Sequence, residues 1–258
     1  MRGLIAALYV EALKARRSLV PWVIGVFTTL PPIMLGLMMA IKKNPAGAER
    51  FGLLNEKSRL LVGAADWPSF LGLVGQTMAA MGAVAFSVLA AWVFGREFAD
   101  RTCRIMLAVP TRRSAMVAAK LAVTAGWCLL LSAWILLASF VIGVVVGMPG
   151  LTWQSASAAL AIAGRAVLLW LALMPVTAFV ASAGRGYLLP IGYAMVTVII
   201  AQFLSATGWA AWFPWCVAIT SGVAETHITG ASVAVVVLTG VLGIAAVLLW
   251  WERSDQTL

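Results

Sequence analysis

Charge is what this sequence lacks most. Of its 258 residues only 10% are Asp, Glu, Lys or Arg, while 63% are hydrophobic. A soluble globular chain carries about 25% charged residues. The deficit excludes a water-soluble domain and makes lipid the solvent for much of the chain. Histidine is nearly missing as well. His227 stands alone, and with no H-E-x-x-H a His-rich zinc site is excluded. No G-x-x-x-x-G-K-[ST] stretch occurs, so the chain has no P-loop and binds no ATP by that route. A G-x-S-x-G elbow is also absent, which leaves no constellation for an intramembrane hydrolase. Cysteine is scarce: Cys103, Cys128 and Cys216 lie in unlike settings with no C-x-x-C, and all are read as free thiols. No cleavable signal is evident, because the run Leu19–Ile41 is too long for a signal core and no small-residue cleavage site precedes Lys42.

What is present is a series of long apolar runs, at about 19–41, 69–94, 116–146, 158–182, 188–205 and 231–251. Each can cross a bilayer as a helix. They predict an all-α integral membrane protein of about six transmembrane helices, with 1–258 forming a single domain. The net charge is +9. The Lys and Arg cluster beside the apolar runs and form no separate basic domain. That pattern points to the positive-inside tendency and anionic lipid, not to nucleic acid. Arg2, Lys14, Arg16, Arg17, Arg96, Arg101, Arg104, Arg112, Arg113, Lys120, Arg185 and Arg253 all fall on one side. Both termini are therefore expected in the cytoplasm, although the basic residues of the 42–66 loop dissent.

Residues 1–18 read as an amphipathic helix lying on the membrane, or else as a cytosolic extension of the first span. Pro31-Pro32 in that span predicts a kink or a gate, with Thr28 and Thr29 available to the freed carbonyls. The charged stretch 42–66 suggests a second interfacial helix. Gly143 and Gly147 have a close-packing spacing, which a Gly-rich chain also produces by chance. Arg165 is the one ionisable residue deep in a run, and snorkelling to the outer interface is the simplest account of it. Gln76 and Gln202 are polar positions inside the second and fifth runs. They suit either a substrate path or interhelical hydrogen bonds. Trp209, Trp212 and Trp215 recur every three residues around Pro214. Either an outer re-entrant or interfacial turn or a plain aromatic belt accounts for them.

The segment Phe94–Lys120 carries the most ordered polar pattern. Arg96/Asp100, Glu97/Arg101 and Asp100/Arg104 are matched at i,i+4. Pro110 ends that helix, and Thr111 is an N-cap for the next. A charge-paired helix–turn–helix knob follows. It is either an ordinary loop between spans or a rigid lever docked on a soluble partner.

The run Arg-Glu-Phe-Ala-Asp-Arg-Thr (96–102), with Ala-Val-Pro-Thr-Arg-Arg (108–113) and Lys120, resembles the segment between the second and third spans of ABC-2 type transporter permeases. The small bacitracin, lantibiotic and multidrug exporter permeases look most alike. The N-terminal helix with Glu11, Lys14 and Arg17 looks like that family's elbow helix, and Phe213-Pro214-Trp215 like its outer re-entrant turn. The resemblance implies a bacterial cytoplasmic-membrane, multi-pass exporter subunit. It also implies a coupling helix near Glu97–Val109 that docks in a cleft of a separate ATPase subunit. On that basis Arg96, Glu97, Asp100, Arg101, Arg104, Thr111, Arg112 and Arg113 contact the ATPase. Gln76, Gln202, Trp212 and Trp215 line the substrate path. ATP and Mg would sit in the partner, with no cofactor on this chain. A second permease copy or paralogue and membrane lipid are the other implied partners. An assembly role for an extracytoplasmic enzyme and an ATP-independent secondary carrier are the rival expectations.

Overall fold

A computed structural model describes residues 2–44, 64–102, 111–223 and 226–253. The expected interfacial helix in the 42–66 loop and most of the expected coupling helix, including Cys103 and Arg104, lie outside the described residues. Among the described residues the helices are α1 (Arg2–Arg17), α2 (Val20–Lys43), α3 (Trp67–Ala99), α4 (Arg113–Val146), α5 (Trp153–Ala183), α6 (Leu188–Ser205), α7 (Pro214–Thr220) and α8 (Gly230–Arg253), with a 3-10 turn at Ala210–Trp212. Six of them are long and apolar enough to cross a membrane: α2, α3, α4, α5, α6 and α8.

Apolar burial sorts these six. In the most apolar stretches of α3 and α5, 72% and 61% of residues are buried, against 28% or less for the others. Thus α3 and α5 form the spine, and the rest show one face to lipid. Small residues set the closest approaches. Gly82 of α3 lies under the Trp170 ring of α5, whose indole N–H donates to the Ala79 carbonyl at 2.8 Å. Gly240 of α8 faces the Ala172 backbone of α5, and Gly143 of α4 faces the Trp67 ring. The Gly143 half of the small-residue spacing is therefore a packing contact. Gly147 does other work: it is the left-handed end of α4, at φ 67°.

Cations close several helix ends, where unpaired carbonyls and the helix dipole favour them. Lys43 Nζ donates to the Val146 and Gly147 carbonyls at 3.0 and 2.7 Å. Arg113 Nη1 donates to Trp251 O at 3.1 Å, at the end of α8. At the ends of α3 and α5 the left-handed residue is itself an arginine, Arg101 (φ 55°) and Arg185 (φ 50°). The Thr102 amide reaches back to the Glu97 carbonyl at 2.9 Å, and that of Gly186 to the Ala181 carbonyl at 3.4 Å.

Two expectations need correction, while α2 stays helical through both Pro31 and Pro32. The Thr28 and Thr29 hydroxyls both donate to the Gly25 carbonyl, at 2.9 and 2.8 Å, not to the carbonyls the prolines free. Arg165 does not snorkel. Its guanidinium donates to Ser221 O at 3.2 and 2.5 Å and to Val223 O at 3.4 Å, capping α7. The partner carbonyls sit among α3 and α5, because Gly222 packs against Gly75 and Ala79. At 1.5 Å per residue these contacts lie roughly 12–18 Å inside the ends of α3 and α5. The α7 segment therefore folds back into the bundle.

Candidate functional site

α3 has 33 residues and is about 50 Å long, against a hydrocarbon core of about 30 Å. Its last turns therefore carry Arg96 and Glu97 towards α1 and the start of α4. There a carboxylate and an ammonium from α1 meet a carboxylate from α3 and an ammonium from α4. Lys14 Nζ lies 2.6 Å from Glu11 Oε1 and 3.0 Å from Glu97 Oε1. Lys120 Nζ lies 2.7 Å from Glu97 Oε1 and 3.3 Å from Glu11 Oε2. The four charges alternate around a closed ring and sum to zero.

Burial gives the ring its weight. Lys120 is 0% exposed, Glu97 2% and Glu11 6%. Lys120 also donates to the Val93 carbonyl at 3.1 Å, so each of its three ammonium protons has an acceptor. Its Nζ stands 5.8 Å from the Phe94 ring centroid. Glu97 Oε2 is buried and has no hydrogen-bond partner among the described residues. Burial by itself would lower the Lys14 pKa; the Glu97 carboxylate, and then Glu11, outweigh it and hold the group above the ordinary lysine value of 10.5.

α1 is set on the bundle by this ring. Glu11 and Ala15 are its buried positions, while Leu4, Ile5, Tyr9 and Val10 face outward. Glu11 and Lys14 are held by protein and the apolar edge is free, which suits a helix resting at a lipid boundary. A small cavity of about 150 Å³ under α1 is lined by Ala7, Val10, Glu11, Lys14, Thr111 and Met116.

The other expected site residues are dispersed. Arg96 lies over the Trp92 ring, its Cζ 5.1 Å from the centroid, and Nη1 is buried without a partner among the described residues. Asp100 caps α3, and Arg101 and Thr102 continue the turn. Neither Arg96–Asp100 nor Glu97–Arg101 forms an ion pair, because α3 ends at Ala99 and Glu97 is engaged by the two lysines. Arg112 is the exposed N-cap of α4, Thr111 is half-buried beside it, and Arg113 caps α8. Gln76 is exposed on α3 and Gln202 on α6. Trp212 is exposed, whereas Trp215 is half-buried between Tyr193 and Phe213, with ring centroids at 5.8 and 5.2 Å.

In the sequence Lys120 stands at the end of a motif, with no partner assigned to it. One signal was available: a lone lysine inside an apolar run needs a counter-charge, and Glu97 is the carboxylate at the end of the preceding run.

Residues 7–202 match the family described as ABC-2 family transporter protein. The chain belongs to the ABC-2 transporter family. The match covers all four ring residues and Arg165, and it stops before Trp212 and Trp215. The bacitracin transport permease protein of Bacillus licheniformis is 26% identical over 181 residues, covering 68% of this chain and 86% of that one. Family membership and six apolar helices make this a multi-pass membrane protein of the transport permease type.

Proposed function

We propose that this chain is the membrane-spanning permease subunit of an ATP-driven exporter. A separate ATPase subunit supplies the energy, and the cargo is an amphipathic compound, peptide, antibiotic or lipid moved outward. The observation that carries this reading is the buried ring. It ties α1, the end of α3 and the start of α4 into one rigid corner. The chain enters and leaves the 103–110 segment there, which is the stretch expected to dock on the ATPase. A push on that segment reaches α3, the most buried helix, without first deforming a soft contact. Arg96, Asp100, Arg101, Arg112 and Thr111 at the rim are the partner-facing residues in this scheme, with Arg104 in the docking segment.

The permease works as a pair in this account. α3 exposes Gln76, Ala80 and Val84, one every four residues, although the helix is otherwise mostly buried. A second copy or paralogue facing that stripe would enclose a path with Gln76, and Gln202 of α6, on its wall. Both termini then lie in the cytoplasm of a bacterial inner membrane, where the Lys and Arg gather. Among the described residues the fully buried charges are Glu11, Glu97 and Lys120, all in the ring, and the half-buried Arg165, deep in α5, is an arginine that does not release its proton. That distribution favours an ATP-driven device over a proton-coupled carrier.

The test is transport in proteoliposomes holding the chain and its co-expressed ATPase subunit. The relative's name makes bacitracin the first compound to try. Mg-ATP-dependent movement that stops without the ATPase subunit is the expected result. Movement driven by an ion gradient through the chain alone would overturn the reading.

A further inference from the structure

α2 and α4 leave an open apolar groove of about 600 Å³ between them on the side away from the spine. Its floor is Gly25 and Leu131, and its walls carry Trp22, Trp127 and Trp134. Trp22 and Trp127 meet edge to face at 5.8 Å, and the Trp134 indole N–H donates to Thr29 Oγ1 at 2.9 Å. The Trp22 and Trp134 N–H groups are both taken up by protein acceptors, and what the groove offers is hydrocarbon and aromatic surface. It runs from Pro21 to Ile33 along α2, about 18 Å at 1.5 Å per residue. One leaflet of a roughly 30 Å hydrocarbon core is about 15 Å deep. The groove therefore has the length of a single acyl chain.

Two cations lie close in sequence to its mouth at the Pro21–Trp22 end. Arg16 and Arg17 close α1, with Arg17 four residues before Pro21, and both arginines are exposed. The Trp22 indole N–H donates to the Arg16 carbonyl at 3.4 Å, which fixes the mouth to the end of α1. Neither guanidinium has a protein partner among the described residues. We infer that this groove is a binding site for one anionic glycerophospholipid of the leaflet on the α1 side, with its acyl chain between α2 and α4 and its phosphate at Arg16 and Arg17. Charge complementarity selects the headgroup, because an ordinary boundary lipid would need no cation at that mouth. None of the α3 stripe residues lines the groove.

The full chain in detergent is titrated with dioleoylphosphatidylglycerol or dioleoylphosphatidylcholine, and retained lipid is counted by native mass spectrometry. The wild type should hold one phosphatidylglycerol far more tightly than phosphatidylcholine. Arg16→Gln with Arg17→Gln should remove most of that preference, about thirtyfold for two interfacial cations. A Cβ at Gly25 would meet Leu131 Cδ2 at 3.7 Å, an ordinary contact, so Gly25→Leu fills the groove and should abolish retention of both lipids. Equal retention of the two lipids by the wild type would overturn the assignment. So would unchanged phosphatidylglycerol binding in Gly25→Leu, or loss of dimers with lipid binding intact, which would mark the groove as a contact between copies.

Discussion

At the scale of single residues, Lys120 and Glu97 set the terms. Both are fully buried and each is the other's nearest counter-charge, at 2.7 Å. Removing one partner strands a desolvated ion, at a cost of about 3–5 kcal/mol. Removing both leaves Glu11 and Lys14 to neutralise each other at 2.6 Å. We therefore expect Glu97→Leu and Lys120→Leu each to lower the unfolding midpoint in detergent strongly, and the double variant to lose less than either. A double variant as damaged as the sum of the two would remove the ring from the account. The pH dependence has a definite sign. The folded pKa of Lys14 is raised above 10.5, so its contribution is complete below 10.5 and is lost as pH climbs through the folded value. A spin label at Tyr9→Cys on the exposed face of α1 should report unchanged docking from neutral pH to about 10 and loosening only beyond the ordinary lysine value. Release near neutral pH would contradict this.

Among elements, the short α7 depends on one distant side chain. Arg165 supplies the cation for its last carbonyls, and Cys216 of α7 is 0% exposed. With Cys103 and Cys128 changed to Ser, Arg165→Gln should raise the rate at which a maleimide labels Cys216, several-fold or more, while Arg165→Lys changes it less. An unchanged rate would mean that packing alone holds α7. Contacts between α5 and α8 rest on Gly240 against the Ala172 backbone, whereas an added Cβ at Gly164 meets nothing. Gly240→Leu should cut folded yield sharply, and Gly164→Ala should leave it unchanged, read by size-exclusion profile. The helices themselves were legible in the sequence, because each apolar run of bilayer length has only one way to satisfy its backbone in lipid. Their polar connections were not. Glu97 meets Lys14 across 83 residues of sequence; a basic group on the N-terminal helix was one of three partners open to it, beside Arg101 and the ATPase, and nothing local chose among them. The caps that Arg113 and Arg165 supply were not legible either, since nothing local shows that a helix end lies against them.

For the whole molecule, the proposed scheme needs a second permease copy or paralogue beside the rigid corner. The exposed Gln76, Ala80 and Val84 stripe of α3 should face a second copy. Ala80→Cys should therefore crosslink between copies through a short spacer in native membranes, whereas a cysteine at exposed Leu168 should not. The central claim is that movement in the ATPase enters the membrane through the ring. It is tested most directly by ATP hydrolysis in the purified complex, comparing wild type with Glu97→Gln, whose side chain keeps its shape and loses its charge. The chain alone should hydrolyse no ATP. The complex should hydrolyse it, and Glu97→Gln should reduce cargo-stimulated hydrolysis at least several-fold while the two subunits still co-purify. Hydrolysis by the chain alone, or full stimulation in a Glu97→Gln complex, would contradict the account.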